Sequence, residues 1–408
     1  MGEVFRRFWL PAMLDWELPE PDGTPARIRL LGENLVAFRD SHGAVGFVAE
    51  NCPHRGASMF FGRNEEAGLR CVYHGWKFDT TGACTDMPNE PAESNFRHKI
   101  RIGAYPAREH GGVIWIYMGP AHLMPELPQF EWASVPASHR WVGKTFIESN
   151  YLQALETGQD PSHASFLHRW FNPDVMPNRR NFDAGSYTQD EAPHSAVKET
   201  EYGFIWTARR RRGDGRFHWK VFQTLLPCHN MLAPPQWPHL GSCWVPIDDG
   251  HCYQFVNGFH AGRPLTDEER AFYDSGATHT PRKIPGTHRP AATKRNDYLI
   301  NREFQRTRNF TGITGSGLED IMVSETMGPV VDRTKEHLGA ADVPVIVLRR
   351  TLLRLVRELQ AGIEPYAASH PEVYRIRALC VNDAQDDLEL LMREYRDELV
   401  AEGTIHSR

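Results

Sequence analysis

The chain has 408 residues, 40% of them hydrophobic and 24% charged, enough apolar matter for a packed core and too long for one ordinary domain. Its 46 basic and 52 acidic side chains leave a formal charge of −6, without the basic surplus that a nucleic-acid partner needs. Seven scattered cysteines predict thiols that serve metals or packing in a reducing compartment, with no disulfide framework.

Taken from the start, residues 1–20 mix Arg6 and Arg7 with Asp15, Glu17, prolines and aromatics, so no secretory signal is expected and the cytoplasm is the expected location. Arg6 stands where a myristoylation signal beginning at Gly2 would have Ser or Thr. The longest apolar runs, near 113–118 and 343–348, fall well short of the roughly 20 residues of a membrane span, and no membrane partner is predicted. Short β segments broken by Gly, Asn and Asp follow at 27–31, 35–39, 45–48 and 112–117, which predicts a small β module. A proline-rich stretch at 119–136 reads as an inter-domain linker, giving domains at 1–130 and 131–408. Beyond it, strands are predicted at 141–149, 201–212 and 216–226, the last two joined by a Gly213-Asp214-Gly215 turn. Helices are predicted from 151 onward, at 319–337 and at 371–402, so the second domain reads as α+β with an antiparallel sheet. The Pro-, Gly-, Thr- and Arg-rich interval 262–317 has weak periodicity and reads as a lid or a surface excursion.

Within the β module lie Cys52-Pro53-His54-Arg55-Gly56 and Cys71-Val72-Tyr73-His74-Gly75-Trp76, with 16 residues between His54 and Cys71. Each loop offers one thiolate and one imidazole, so two facing loops supply both cysteines to one iron and both histidines to the other, the ligand set of a Rieske 2Fe-2S cluster. A zinc site would use the same residue types, but zinc fingers pair their cysteines in one knuckle and their histidines in another. On these motifs the chain resembles the Rieske family. The respiratory members of that family carry an additional Cys in each loop, joined by a disulfide; Ala57 and Tyr73 occupy the matching positions here. The resemblance is therefore to the Rieske non-haem iron oxygenases.

A second constellation follows the linker: Asp160, His163 and His168 in the run from Asn150 to His168. Two imidazoles and a carboxylate can occupy one face of a ferrous ion and leave positions for dioxygen. The segment resembles the D-x-x-H-x(4)-H motif of Rieske oxygenases, which implies that His163 and His168 are ligands of a mononuclear Fe(II). The resemblance also implies that Asp160 links the iron histidine of one subunit to a Rieske histidine of its neighbour as an electron bridge. The third ligand must be a distant carboxylate. Glu319, Asp320 and Glu325 could all do that chemistry, or could be acids near a helix N-terminus. The resemblance points to Asp320.

Across nearly the whole chain the resemblance is to the phthalate dioxygenase-like homomeric branch, carried also by 296–300, 310–313 and 327–339. It implies an N-terminal all-β Rieske domain and a C-terminal helix-grip catalytic domain, assembled as a homotrimer or a multiple of trimers. It implies dioxygen as co-substrate and a reductase partner carrying flavin and a plant-type 2Fe-2S cluster. The implied substrate is an aromatic carboxylate of phthalate, phenoxybenzoate or benzoate type. Such an acid needs an apolar pocket with a cation at its end, and the run Arg209 to Arg212 lies on a predicted strand whose alternate residues face opposite sides, making Arg209 and Arg210 candidates. No arginine lies between Arg216 and Arg263, which favours a monocarboxylate. An O- or N-demethylating monooxygenase uses the same ligands. A Rieske electron carrier fused to a degenerate binding domain is the non-enzyme alternative, and the triad His163, His168 and Asp320 stands against it.

Overall fold

Why the β segments close into sheets is visible in their burial. The strand Glu33–Arg39 buries four successive residues from Leu35 to Phe38, and Val113–Tyr117 is buried throughout, as strands covered on both faces are. The computed structural model describes residues 1–91, 93–177, 184–232 and 234–401. The chain divides into two compact units, one of 2–124 with 246–248 and the other of 125–245 with the residues from 249 on. No helix among the described residues is long and apolar enough to cross a membrane.

The first unit holds small antiparallel sheets. Ala26–Leu30, Glu33–Arg39, Val45–Ala49 and Ala104–Tyr105 form one, and Arg63–Glu65, Gly68–Arg70, Lys77–Phe78 and Cys84–Asp86 another. Phe38, Val48, Met59, Leu69, Trp76 and Phe78 pack a core that also contains Cys52 and Cys71. Both motif loops are thereby anchored in the packed interior at their cysteines.

The second unit is built on an eight-stranded sheet. Its order is Arg140–Ile147, His251–Phe259, His239–Asp248, His229–Leu232, Phe217–Leu225, Gly203–Arg211 and Val197–Thr200, with Leu379–Asp383 added beside Phe217–Leu225. The register pairs Arg210 with His218, Ala208 with Lys220, Trp206 with Phe222, Thr224 with Asn230, and Asn230 with Ser242. Directly opposed residues share a face, so these even-numbered side chains form one wall. The other face carries Ile205, Trp219, Val221, Leu379 and Val381, packed by Leu391 and Leu399.

Two expectations about helices are corrected, and one helix is added. The helix predicted at 319–337 runs from Ser316 to Thr326; Gly328, at φ +97°, and Pro329 end the pattern. The helix predicted at 371–402 is a 3-10 turn Pro371–Tyr374, the strand Leu379–Asp383 and the helix Leu388–Glu394, because alternate burial of Leu379 and Val381 suits pairing with Phe217–Leu225. Its last residue, Glu402, lies outside the described residues. The helix Val343–Gln360, which periodicity had not singled out, buries Val345, Leu348, Leu352 and Leu355 along one stripe. In the proline-rich stretch, Phe130 and Trp132 are buried and Glu131 binds Arg377 at 2.7 Å, so its C-terminal half packs with the second unit.

Candidate metal centres and substrate cavity

The two loops of the first unit are built alike. Gly56 N–H donates to Cys52 O at 2.9 Å and Gly75 N–H to Cys71 O at 3.0 Å, and both glycines sit at φ +78°, where a side chain is strained. A Cβ on Gly75 would also fall 2.6 Å from Pro88 Cγ. The turns bring the His54 and His74 rings to 4.4 Å between centroids, and Trp76 stacks on His54 at 4.4 Å and 10°. The indole of Trp76 is held by Asn89 at 2.7 Å.

Both Nδ1 atoms, of His54 and of His74, are buried without a hydrogen-bond partner. Burial, with Cys71 adjacent, pushes the Cys52 thiol up to about 11. Two neighbouring imidazole nitrogens without protein partners and two buried thiols fit a bound metal cluster, which would satisfy all four.

In the second unit the helix Tyr151–Thr157 starts at Asn150, whose side chain accepts from Leu152 N–H at 3.0 Å. After it, Asp160 folds the chain into the 3-10 turn His163–Ser165: its Oδ1 accepts from Ser162 N–H at 2.7 Å, Ser162 Oγ at 2.8 Å and His163 N–H at 3.3 Å. His163 Nδ1 donates to the main-chain oxygen of Asp160 at 2.8 Å, while the carboxylate stands 3.8 Å away. Within the chain, His163 Nδ1 is thus held by the backbone carbonyl of Asp160 and not by its carboxylate.

The helix Ser316–Thr326 brings Asp320 to this turn. Its Oδ1 lies 3.3 Å from His168 Nε2 and 3.8 Å from His163 Nε2, with no hydrogen bond of acceptable geometry. His163, His168 and Asp320 offer ligand atoms all within 4.8 Å of one another. Three converging donors with an unpaired carboxylate oxygen fit a ferrous ion.

Glu319, one residue earlier, faces the other nitrogen: His168 Nδ1 donates to Glu319 Oε2 at 2.7 Å, and Thr311 Oγ1 donates to Glu319 Oε1. Burial pulls the His168 imidazole down, but Asp320 and Glu319 outweigh it and carry it to about 10. Glu325 is engaged elsewhere, by Glu148 N–H and Tyr298 Oη at 2.8 Å each. Of the three acids the sequence left open, only Asp320 faces both imidazoles.

His163, His168 and Asp320 line a cavity whose opposite wall is the even-numbered face of the sheet, including Trp206, Arg210, Lys220, Phe222, Asn230 and Trp244. Arg210 is fully buried and stacks 4.0 Å from the Tyr187 ring. It donates from Nη2 to Pro161 O at 2.6 Å, while Nε and Nη1 have no partner. Arg209 lies on the other face, over Phe217 and Trp219, and donates to Asp386 O. Strand alternation therefore separates the two candidate arginines, and one of them reaches the cavity.

The interval 262–317, expected as a lid or a surface excursion, supplies Thr311 to Glu319 and His279 to the cavity wall. A Cβ on Gly317 would lie 2.1 Å from His279 O, so the helix bearing Asp320 can pack on this segment only through glycine. Sequence reasoning missed His279 and the role of Glu319. The adjacency of Glu319 to Asp320 was the available signal, since a carboxylate commonly orients a ligating histidine.

Residues 8–106 match the Rieske [2Fe-2S] domain family, and residues 116–392 match the family described as LigXa C-terminal domain like. The phthalate 4,5-dioxygenase oxygenase subunit of Pseudomonas putida is 38% identical over 89% of this chain and 84% of its own length. The 3-chlorobenzoate-3,4-dioxygenase oxygenase subunit of Comamonas testosteroni is 37% identical over 89% and 86%. Among solved structures, dicamba monooxygenase bound to 3,6 dichlorosalicylic acid superposes with a TM-score of 0.62 at 18% identity, covering 88% of this chain and 98% of that one.

Proposed function

Because the chain belongs to the Rieske-type oxygenases, with a Rieske 2Fe-2S cluster and a mononuclear iron as its cofactors, we propose that it oxygenates an aromatic carboxylate seated beside His163, His168 and Asp320. Cys52, His54, Cys71 and His74 would hold the cluster, and His163, His168 and Asp320 the single iron. When bound, the two centres supply electrons from a redox partner and the activation of dioxygen.

The observation that carries this reading is Arg210. A guanidinium that is fully buried, with two N–H positions unpaired, lacks the anion that would offset its desolvation. A substrate carboxylate supplies that anion, and Lys220 on the same wall adds positive potential. Trp206, Phe222 and Trp244 then enclose the ring and exclude water. Glu319 holds the Nδ1 proton of His168 and Asp160 O that of His163, which turns each Nε2 toward Asp320; a bound metal would displace the proton that His168 otherwise carries there.

The electron donor is read as a reductase with flavin and a plant-type 2Fe-2S cluster, and the assembly as a head-to-tail homotrimer or a multiple of trimers. Supporting this, Val72 and Tyr73 beside His74 are 58% and 52% exposed. Asp160 and His163 line a second, open groove with Phe166 and Phe310, which are 41% and 47% exposed. One copy's Rieske loops would dock in the next copy's groove.

The test is product analysis with labelled dioxygen across a panel of aromatic acids, alongside equilibrium binding to Arg210→Gln and Arg209→Gln. Label in the product, with binding of the acids weakened about tenfold or more in Arg210→Gln and unchanged in Arg209→Gln, is expected. Unaltered binding to Arg210→Gln would overturn the carboxylate assignment. Loss of an alkyl group as the aldehyde, with one labelled oxygen atom in the aldehyde and none in the aromatic product, would make the enzyme a demethylase.

A further inference from the structure

Asn230, in the strand His229–Leu232, is 1% exposed and lines the cavity. Its Nδ2 donates to Gly158 O at 2.6 Å. A carbonyl oxygen can only accept, so this bond fixes the orientation of the amide and turns Oδ1 away from Gly158. That oxygen is buried and has no hydrogen-bond partner. A buried acceptor left unpaired destabilises the fold by about as much as a hydrogen bond contributes, so it marks a position that a donor fills in the working protein.

Ser242, paired across the sheet with Asn230, lines the same end of the cavity. Arg210 lies at the opposite end. It pairs with His218 and Asn230 with Thr224, six residues apart on the strand Phe217–Leu225, but the two side chains reach Pro161 O and Gly158 O, carbonyls three residues apart and therefore no more than about 10 Å from each other, the scale of a para-substituted benzoate with its hydrogen bonds. Between them on the same wall stand Trp206 and Phe222. The cavity thus has unpaired donors at one pole, an unpaired acceptor at the other and aromatic walls between.

We propose that the substrate is a benzoate-type acid carrying a hydrogen-bond donor, a hydroxyl or amino group, on the side of the ring away from its carboxylate, and that Asn230 Oδ1 accepts from it. The proposal rests on the assignment of Arg210 to the carboxylate. An ortho donor lies beside the carboxylate and stays at the Arg210 pole. A methoxy or chloro group at the far position has no proton to give and leaves Asn230 buried and unpaired, which is how a site rejects an isostere that lacks a required donor.

Equilibrium binding to the holoenzyme tests this with matched pairs: para-hydroxybenzoate against para-methoxybenzoate, and para-aminobenzoate against its N,N-dimethyl derivative. The donor of each pair should bind about tenfold tighter or more, and ortho-hydroxybenzoate no tighter than benzoate. In Asn230→Leu, which also gives up the bond to Gly158 O, the preference within each pair should vanish. Equal binding within both pairs in the wild-type enzyme, or a preference that survives Asn230→Leu, would overturn the proposal; the wild-type comparison decides even if the variant fails to fold. Arg210→Gln separates the two readings. If it weakens every acid while no donor preference exists, only the Asn230 assignment falls. If it weakens none, or if no acid of the set binds the wild-type enzyme, the carboxylate reading falls with it.

Discussion

His168 and Glu319 are joined by a 2.7 Å hydrogen bond from Nδ1 to Oε2, and their side chains are only 4% and 3% exposed. A contact so shielded fixes both the tautomer and the rotation of the imidazole. Its Nε2 is then directed at the space shared with Asp320 and His163.

Glu319→Gln retains an acceptor and removes the charge. Mononuclear iron affinity should fall about tenfold to a hundredfold, the usual effect of losing a partner that orients a metal ligand. Cluster absorbance should be unchanged, because the Rieske loops belong to a different unit. Iron per chain after a graded chelator challenge is the measurement, and iron retention equal to wild type would remove Glu319 from the centre.

At the other centre, His54→Cys replaces an imidazole donor by a thiolate. The EPR and visible signature should change from Rieske-like to ferredoxin-like, and the potential should fall toward about −400 mV, because imidazole ligation is what raises it. The stack of His54 on Trp76 is lost as well, so His74→Cys, which leaves that stack in place, serves as the parallel variant. A protein that purifies colourless with zinc alone would disprove the cluster.

His229 provides a pH test of stability. It is 6% exposed, beside Cys243 Sγ at 3.5 Å and the Phe130 ring at 4.8 Å, and burial lowers its pKa to about 3. The unfolded state takes up a proton near the ordinary value of about 6.5, and the folded state resists until about 3. In that window the unfolded state binds more protons, so stability declines as pH falls, by at most about 1.4 kcal/mol per pH unit for this group. Denaturant midpoints between pH 7.5 and 5.5 should decline below 6.5, and His229→Gln should flatten the slope. An unchanged slope in the variant would mean that other groups govern acid sensitivity.

Much of each candidate metal site was legible because ligand types at fixed short spacing need no knowledge of the fold: Cys52 with His54, Cys71 with His74, and His163 with His168. What remained open depended on tertiary pairing. Whether Arg209 or Arg210 faces the cavity is set by the register of Gly203–Arg211 against Phe217–Leu225, and a slip of one residue would exchange them. Glu319, Asp320 and Glu325 were equivalent as acids, and only the packing of their helix against 278–279 through Gly317 distinguishes them. The strand Leu379–Asp383 was hidden among helix-forming residues because a partner strand over 150 positions earlier makes it a strand.

Asp160→Asn isolates the route between the two centres. The carboxylate Oδ1 caps the turn that carries His163, and an asparagine Oδ1 can accept the same bonds from Ser162 and His163 N–H. The bond from His163 Nδ1 goes to the main-chain oxygen of residue 160 and is untouched by the substitution. Iron content, cluster content, thermal unfolding and sedimentation should therefore match wild type. What changes is the charge and acceptor character of Oδ2, on a side chain 28% exposed that borders the groove lined by Phe166 and Phe310. If a neighbouring copy's Rieske histidine docks there, its ring N–H loses an anionic acceptor and the hydrogen-bonded path between centres is weakened. Single-turnover reoxidation of the prereduced cluster, in the presence of substrate and dioxygen, should slow by about a hundredfold or more if one charge-assisted contact of several kcal/mol at the transition state is lost. Asp160→Ala should lose the turn as well and shed iron, which separates a structural effect from one on transfer. A fully active monomer, or an Asp160→Asn enzyme with normal reoxidation, would refute the ring and the bridge together.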